Sequence, residues 1–300
     1  MGLLATLALG GLVAGCGGGT SDVADRETPS SSSTPSSAET EDTDETEEPE
    51  PTDPTPAQAR RALAKAKQWV ASLPTVAFEY SLYLGEGDQL VAWIGGQERA
   101  GVGWDVRVKN SDLAGVEAST MSAMWTDGAT YMQMDQWEDG LEGCWLRLGP
   151  NEAPLGMQSL FPRSTIFPQL AAALDYELPG ESLDDGGAVI DANIDLAHVV
   201  SLYNSRLITE LGLSPEELAS EQVEVGATVK DDRLVQIGIG GHRIAAAIKR
   251  AGVDLAPEFT EFFNATYVIV TYSEGSLSEL DPPQDDLVFT EADGTKGCNG

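Results

Sequence analysis

Between residues 55 and 288 the spacing of apolar positions changes several times, and each change predicts a change of element. Over residues 57–73, Leu63, Ala66, Val70 and Leu73 recur at helical intervals, and Pro74 is the stop. Past Pro74 the period falls to two. Val76, Phe78, Tyr80, Leu82 and Leu84 share one face of a strand, and Val102, Trp104, Val106 and Val108 repeat the pattern against Asp105, Arg107 and Lys109. Gly85 to Gly87 and Gly95-Gly96 read as turns between such runs, so the strands form an antiparallel meander with one apolar and one wet face. Further strands are expected over 116–126, 130–137, 144–148, 189–196, 223–230, 234–239 and 265–272.

Helical spacing returns in the middle of the chain. It is carried by Ile166, Phe167, Leu170, Ala171 and Leu174, and again by Leu196, Val199, Val200, Tyr203, Leu207 and Leu211, ending at Gly212. Ser214-Pro215-Glu216-Glu217 is a capping box with proline at the first helical position, and 244–250 is helical up to Gly252. Strands, then helices, then strands, without a βαβ rhythm, predict an α+β fold.

Before residue 57 no such pattern exists. Leu3 to Val13 is an apolar run too short to span a bilayer, and small residues lead to Cys16. The stretch resembles a bacterial lipoprotein signal with Val13-Ala14-Gly15-Cys16 as lipobox, which implies a signal peptide over 1–15 and a diacylglyceryl thioether on Cys16. No base precedes the run, the first being Arg26, so a basic flank would lie upstream of Met1. Two other readings stay open: an N-myristoylation pattern at Gly2 and Thr6, and an ordinary secretion signal. Acyl chains at about 0.8 kcal/mol per methylene make a stable anchor when two or three are present. Residues 16–56 are then an acidic tether of Gly, Ser, Thr, Pro and carboxylates, with too little apolar surface to repay ordering. The domain proper is 57–300.

Charge narrows the partners. Forty-nine acids against 17 bases leave −32, which repels a phosphate backbone, so no nucleic acid is expected. Twelve acids and one base fall within 17–56, so the rest of the chain carries about two-thirds of the excess. Arg60, Arg61, Lys65 and Lys67 crowd the first helix, either to touch anionic headgroups or simply as a solvated face.

Chemistry is sparse. The two histidines, His198 and His242, lack metal-spaced partners, and no His-Glu-x-x-His, Cys-x-x-Cys or Gly-x-Ser-x-Gly occurs, so neither an enzyme nor a cofactor or metal is expected. Gly240-Gly241-His242-Arg243 reads as an anion cradle or a plain turn. Asp191, Asn193 and Asp195 lack the glycine of a calcium loop and read as a strand face. With Cys16 committed to lipid, Cys144 and Cys298 remain, either bridged or as two free thiols; a bridge would add roughly 5 kcal/mol in the chain-entropy model.

Lipobox, tether, opening helix, meander, the hairpin Trp125-Thr126-Asp127-Gly128-x-x-Tyr131 leading to a Trp145 strand, and a final strand ending Leu280-Asp281-Pro282-Pro283 together resemble the LolA-like bacterial lipoproteins, of the LppX/LprG type. The resemblance implies a curved antiparallel half-barrel with helices on the concave face, enclosing an apolar cavity for acylated lipid or glycolipid. Cavity candidates on that basis are Phe78, Tyr80, Leu82, Trp104, Val106, Met121, Trp125, Met132, Met134, Ile190 and Ile194. Met121, Met124, Met132 and Met134 suit an adaptable pocket or plain core filling. The expected protein is a monomer, lipid-anchored on the extracytoplasmic face of the cell membrane, binding a lipid for shielding or transport. The alternative is an anchored interaction or sensor module of the same fold with a filled core.

Overall fold

The computed structural model describes residues 53–85, 89–111, 119–134, 141, 143–148, 166–202, 212, 214–277, 280–290 and 298. The opening helix α1 (Pro56–Ser72) starts in a capping box in which the Thr55 hydroxyl accepts from Gln58 N–H, with proline at the first position. It buries Ala59, Leu63, Ala66 and Val70. The first meander follows: β1 (Val76–Leu84), β2 (Gln89–Arg99), β3 (Gly103–Asn110), β4 (Ser119–Thr126), β5 (Ala129–Met134) and β6 (Trp145–Leu148). Asp127 and Gly128, at φ 51° and 76°, form the β4–β5 turn, where the left-handed conformation suits Asp-Gly.

Helix α2 (Ile166–Ala172) leads to β7 (Asp175–Ser182), β8 (Ala188–Asp195), the short α3 (Leu196–Val200) and α4 (Pro215–Ser220), whose Ser214/Glu217 capping box is complete. Then come β9 (Gln222–Lys230), β10 (Arg233–Gly240), α5 (Gly241–Arg250), α6 (Pro257–Ala265) and β11 (Thr266–Glu274). A 3-10 turn at Asp285–Leu287 precedes β12 (Val288–Phe289).

All twelve strands form one open, curled sheet in the order β12-β6-β5-β4-β3-β2-β1-β11-β10-β9-β8-β7. It is α+β, and mostly antiparallel; β12 runs parallel to β6. Topologically it is two meanders, β1–β6 and β7–β11, zipped by the pairing of β1 with β11 from Val76↔Glu274 to Leu84↔Thr266. The helices lie on the concave side. There α1 packs on β7, β9 and β10, α3 on β8 and β9, and α5 on β9 to β11. Cys144 and Cys298 are bridged, with Cα atoms 5.7 Å apart, which ties the end of the chain to the strand beside which β12 lies.

Several expectations need correction. Gly95 and Gly96 are not a turn; they lie inside β2, because a Cβ on Gly95 would strike the Trp93 ring and one on Gly96 the Asp105 carbonyl. Val102 lies in the turn before β3 and is exposed. The last strand does not end at Leu280: β11 stops at Glu274, and the following chain crosses the sheet rim, held by Gly275 N–H to Thr75 O and Thr126 Oγ1 to Leu280 O. Strands β7 and β12 and helix α6 were not anticipated. The helix expected from Leu196 is described only as far as Val200. Residues 203–211, the segments 116–118 and 135–137 of two expected strands, and Cys16 with its tether up to residue 52 lie outside the described residues.

Candidate functional site

Strand register converts alternation into rows of side chains across the concave face. One row runs Val270, Tyr80, Ile94, Val108, Met121 and Met134; the next runs Tyr272, Phe78, Gly96, Val106, Ala123, Met132 and Leu146. A third joins Trp104, Trp125, Thr130 and Leu148. Leu82 shares the face on β1, as do Ile190 and Ile194 on β8, opposite Ala227 and Val223. All eleven cavity candidates therefore lie on one face of the sheet. Met124 does not: it pairs with Asp105 and Tyr131 on the convex side.

The candidates divide into two environments. Around β1 and β8 the space is filled by the protein. Phe167 of α2 stacks on Phe78 with ring centroids 4.3 Å apart and leans on Tyr80 at 6.1 Å. The Tyr272 hydroxyl donates to the Phe167 carbonyl at 2.8 Å, fixing α2 to the sheet; burial pushes that phenol well above its ordinary pKa. Ile190 and Ile194 are fully buried on β8, which carries α3 and α4. Trp104, Val106, Met121, Trp125, Met132 and Met134 belong instead to β3–β5, while the described helices pack mainly on β7–β11. Trp104, Val106, Met121 and Met132 are buried there; Trp125 and Met134 are half-buried. Ile94, Val108, Leu146 and Leu148 complete this apolar surface, and sequence reasoning left them out of the set although their parity was readable.

Two clefts of mixed polar and apolar lining lie apart from that surface. One, of about 280 Å³, is lined by Glu177, Asn193, Glu224, His242, Arg243 and Arg250, with Arg243 paired to Glu224 at 2.8 Å. The other, about 480 Å³ and open, is bounded by Gln169, Asp175, Asp195 and His198. His198 Nδ1 is buried without a hydrogen-bond partner. Gly241 lies against the Phe263 carbonyl and Thr266, where no Cβ fits, so the glycine at the start of α5 serves the approach of α6. Asp191, Asn193 and Asp195 line the side of β8 opposite Ile190 and Ile194. Among the described residues no group of three or more His, Cys, Asp or Glu could hold a metal ion.

The bases of α1 are largely engaged within the domain. Lys65 pairs with Asp232 at 2.7 Å, Arg60 stacks on Tyr176, and Lys67 donates to the Leu174 carbonyl. Three of the four cations expected to face headgroups thus serve contacts of their own domain. Among the described residues no helix is long and apolar enough to cross a membrane.

No protein-family model matches the sequence, and no curated protein matches it. Solved structures similar to this chain include LprF from Mycobacterium bovis, at 12% identity, covering 77% of this chain and 99% of that one, with a TM-score of 0.39. The Mycobacterium tuberculosis lipoprotein LppX is similar at 12% identity over 72% of this chain and 93% of that one, TM-score 0.38. A LolA superfamily protein from Nitrosomonas europaea follows at 10% identity over 74% and 94%, TM-score 0.27. At such identities and TM-scores, the functional reading rests on this chain's own sheet and its lining.

Proposed function

We propose that this chain is an extracytoplasmic lipoprotein, monomeric and held to the cell membrane by acyl chains on Cys16. Residues 16–56 are its tether, and the domain over 57–300 receives the acyl chains of a lipid or glycolipid against the concave face of β2–β6. Its role is to shield or carry that lipid within the envelope. The observation that carries the reading is the pair of continuous apolar rows across β2–β6, ending in Met134 and Leu146, on the part of the sheet where the described helices pack least. Each methylene withdrawn from water is worth about 0.8 kcal/mol, and a bilayer offers about the same, so exchange between membrane and protein is near neutral. Such a carrier lowers the cost of crossing water and needs no catalytic group.

A second reading is an anchored interaction or sensor module whose core is filled. It is favoured by Phe167, which occupies the concavity over β1 with its own ring, and by the position of both clefts away from the apolar rows. Native mass spectrometry of the purified Cys16→Ser protein separates the two. The carrier shows an added mass that organic extraction removes and that proves to be an acylated lipid, with the adduct reduced in an Ala123→Trp variant. The protein's mass alone, in preparations from the native envelope, would refute the carrier.

A further inference from the structure

The convex side of β1–β6 is unlike the rest of this acidic molecule. Among the described residues of these strands, Arg99, Arg107, Lys109 and Arg147 point to it, against Glu79 and Asp105. Arg107, Lys109 and Arg147 are exposed, and none has a carboxylate partner among the described residues. Elsewhere Lys65, Lys230, Arg243 and Arg250 each lie on a carboxylate at 2.7–3.1 Å. With 49 acids in the chain against 17 bases, three exposed cations without a carboxylate partner among the described residues form a segregated charge on one face.

Aromatic rings lie among them. Lys109 Nζ sits 5.0 Å over the ring of Trp93, and that ring lies along its strand over Gly95, the site where no Cβ fits. Arg147 is opposite Tyr131, which neighbours Met124; Trp145 is half-buried on the same side of β6. From Lys109 on β3 to Arg147 on β6 the face spans three strand spacings, about 14 Å. Exposed cations beside half-buried indoles, on a broad and gently curved surface, match the interfacial layer of a bilayer: phosphates for the cations, and the headgroup level for rings with an apolar body and a polar edge.

We infer that the convex face of β2–β6 docks on an anionic lipid surface, with Arg107, Lys109 and Arg147 against the headgroup phosphates and Trp93 at the interface. The inference rests on the anchored reading only for the nearness of the bilayer, and vesicle binding without the anchor tests it separately from lipid carriage. The test uses the full chain carrying Cys16→Ser, with vesicles of phosphatidylcholine containing 30% phosphatidylglycerol and of phosphatidylcholine alone. Binding is expected on the anionic vesicles, falling as salt rises. R107Q/K109Q/R147Q should weaken it about a hundredfold, roughly fivefold per cation. The charge-matched control R61Q/K230Q/K249Q should change it less than threefold. Equal loss in both variants would reduce the effect to net charge and overturn the assignment, as would salt-independent binding to both vesicle types. Tighter binding of soluble polyglutamate than of vesicles would make the face a site for an acidic protein and equally remove the membrane. A thermal unfolding curve for each variant separates misfolding from lost docking, and the salt dependence of the unsubstituted chain tests the proposal without any variant.

Discussion

The two meanders of the sheet share one building rule and differ in what covers them. Both alternate apolar and polar positions; in β7–β11 the concave face carries α1, α3 and α5, whereas β2–β6 carries far less of the described helical surface. Val223, Val225, Ala227, Ile237 and Ile239 have no accessible surface to speak of, while Trp125 and Met134 retain some. Their convex faces differ too: Asp191, Asp195 and Glu224 line one half, Arg107, Lys109 and Arg147 the other. The proposed carrier would use that division: one half packed as a solid core, the other as the surface where a guest's acyl chains replace a packing partner.

The strongest way to break the comparison is to release the half on which fewer of the described helices pack. The Cys144–Cys298 bridge closes a loop with a sequence separation of 154 and holds the chain end beside β6. Replacing both cysteines by alanine should cost about 5 kcal/mol in the chain-entropy model, read as a lower urea midpoint, and thiol reductant should reproduce the loss in the native protein. The effect belongs to β1–β6: hydrogen exchange should rise in β5 and β6 before it rises in β9 and β10. Uniform exchange across both meanders would show that the halves open as one unit.

Side-chain truncation sharpens the same contrast. Phe167→Ala removes the ring stacked on Phe78 and should cost about 3–4 kcal/mol, with its cavity walled by a helix that Tyr272 pins in place. Met132→Ala, in the surface assigned to the guest, should cost about 2 kcal/mol or less, and a long-chain lipid should raise the urea midpoint of the native chain and of Phe167→Ala alike but that of Met132→Ala less. Equal costs and no lipid response in any of the three proteins would place both halves in one filled core.

Much of this architecture was legible because the sheet buries one face. Val76 to Leu84 and Val223 to Lys230 alternate cleanly, and a residue's parity sets its side, which is how Met124 could have been told from Met121. Strand β2 was obscured by Gly95-Gly96, whose reason is tertiary: a neighbour's ring and carbonyl occupy the places of their Cβ atoms. Strand β7 is an edge strand; its exposed side chains, Pro179 and Gly180 leave no alternation to read, and those same features discourage pairing with another chain. Two-residue β12 exists through its pairing with β6 and a distant cysteine, neither of which a local pattern can contain. The candidate face followed from period two; its division into a helix-covered and a freer half followed from strand order, since β1 and β11 are far apart in sequence and adjacent in space.

The smallest expected effect concerns Asp105, on the convex side of β3. Its Oδ1 is buried without a hydrogen-bond partner among the described residues, and desolvation holds its carboxyl above the ordinary carboxylate range, only partly opposed by a backbone hydrogen bond. A folded-state pKa above the unfolded value means that the folded chain binds the proton more tightly. This group therefore favours folding at low pH, and its contribution is lost as pH rises from the ordinary value through the raised one, the reverse of a salt-bridged carboxylate. At pH 7 the ion is the unfavourable form, so Asp105→Asn should stabilise, by less than about 1 kcal/mol because solvent still reaches the group and screens it. Urea midpoints at pH 7 and pH 4 provide the check: the advantage of asparagine should shrink at the lower pH, where more of the native carboxyl holds its proton. The same substitution removes one of two acids among the convex-face cations, so it should also tighten binding to anionic vesicles. A destabilised variant with unchanged vesicle binding would mean that Asp105 is an ion with a partner, and that the charge contrast between the two convex faces is weaker than the register makes it.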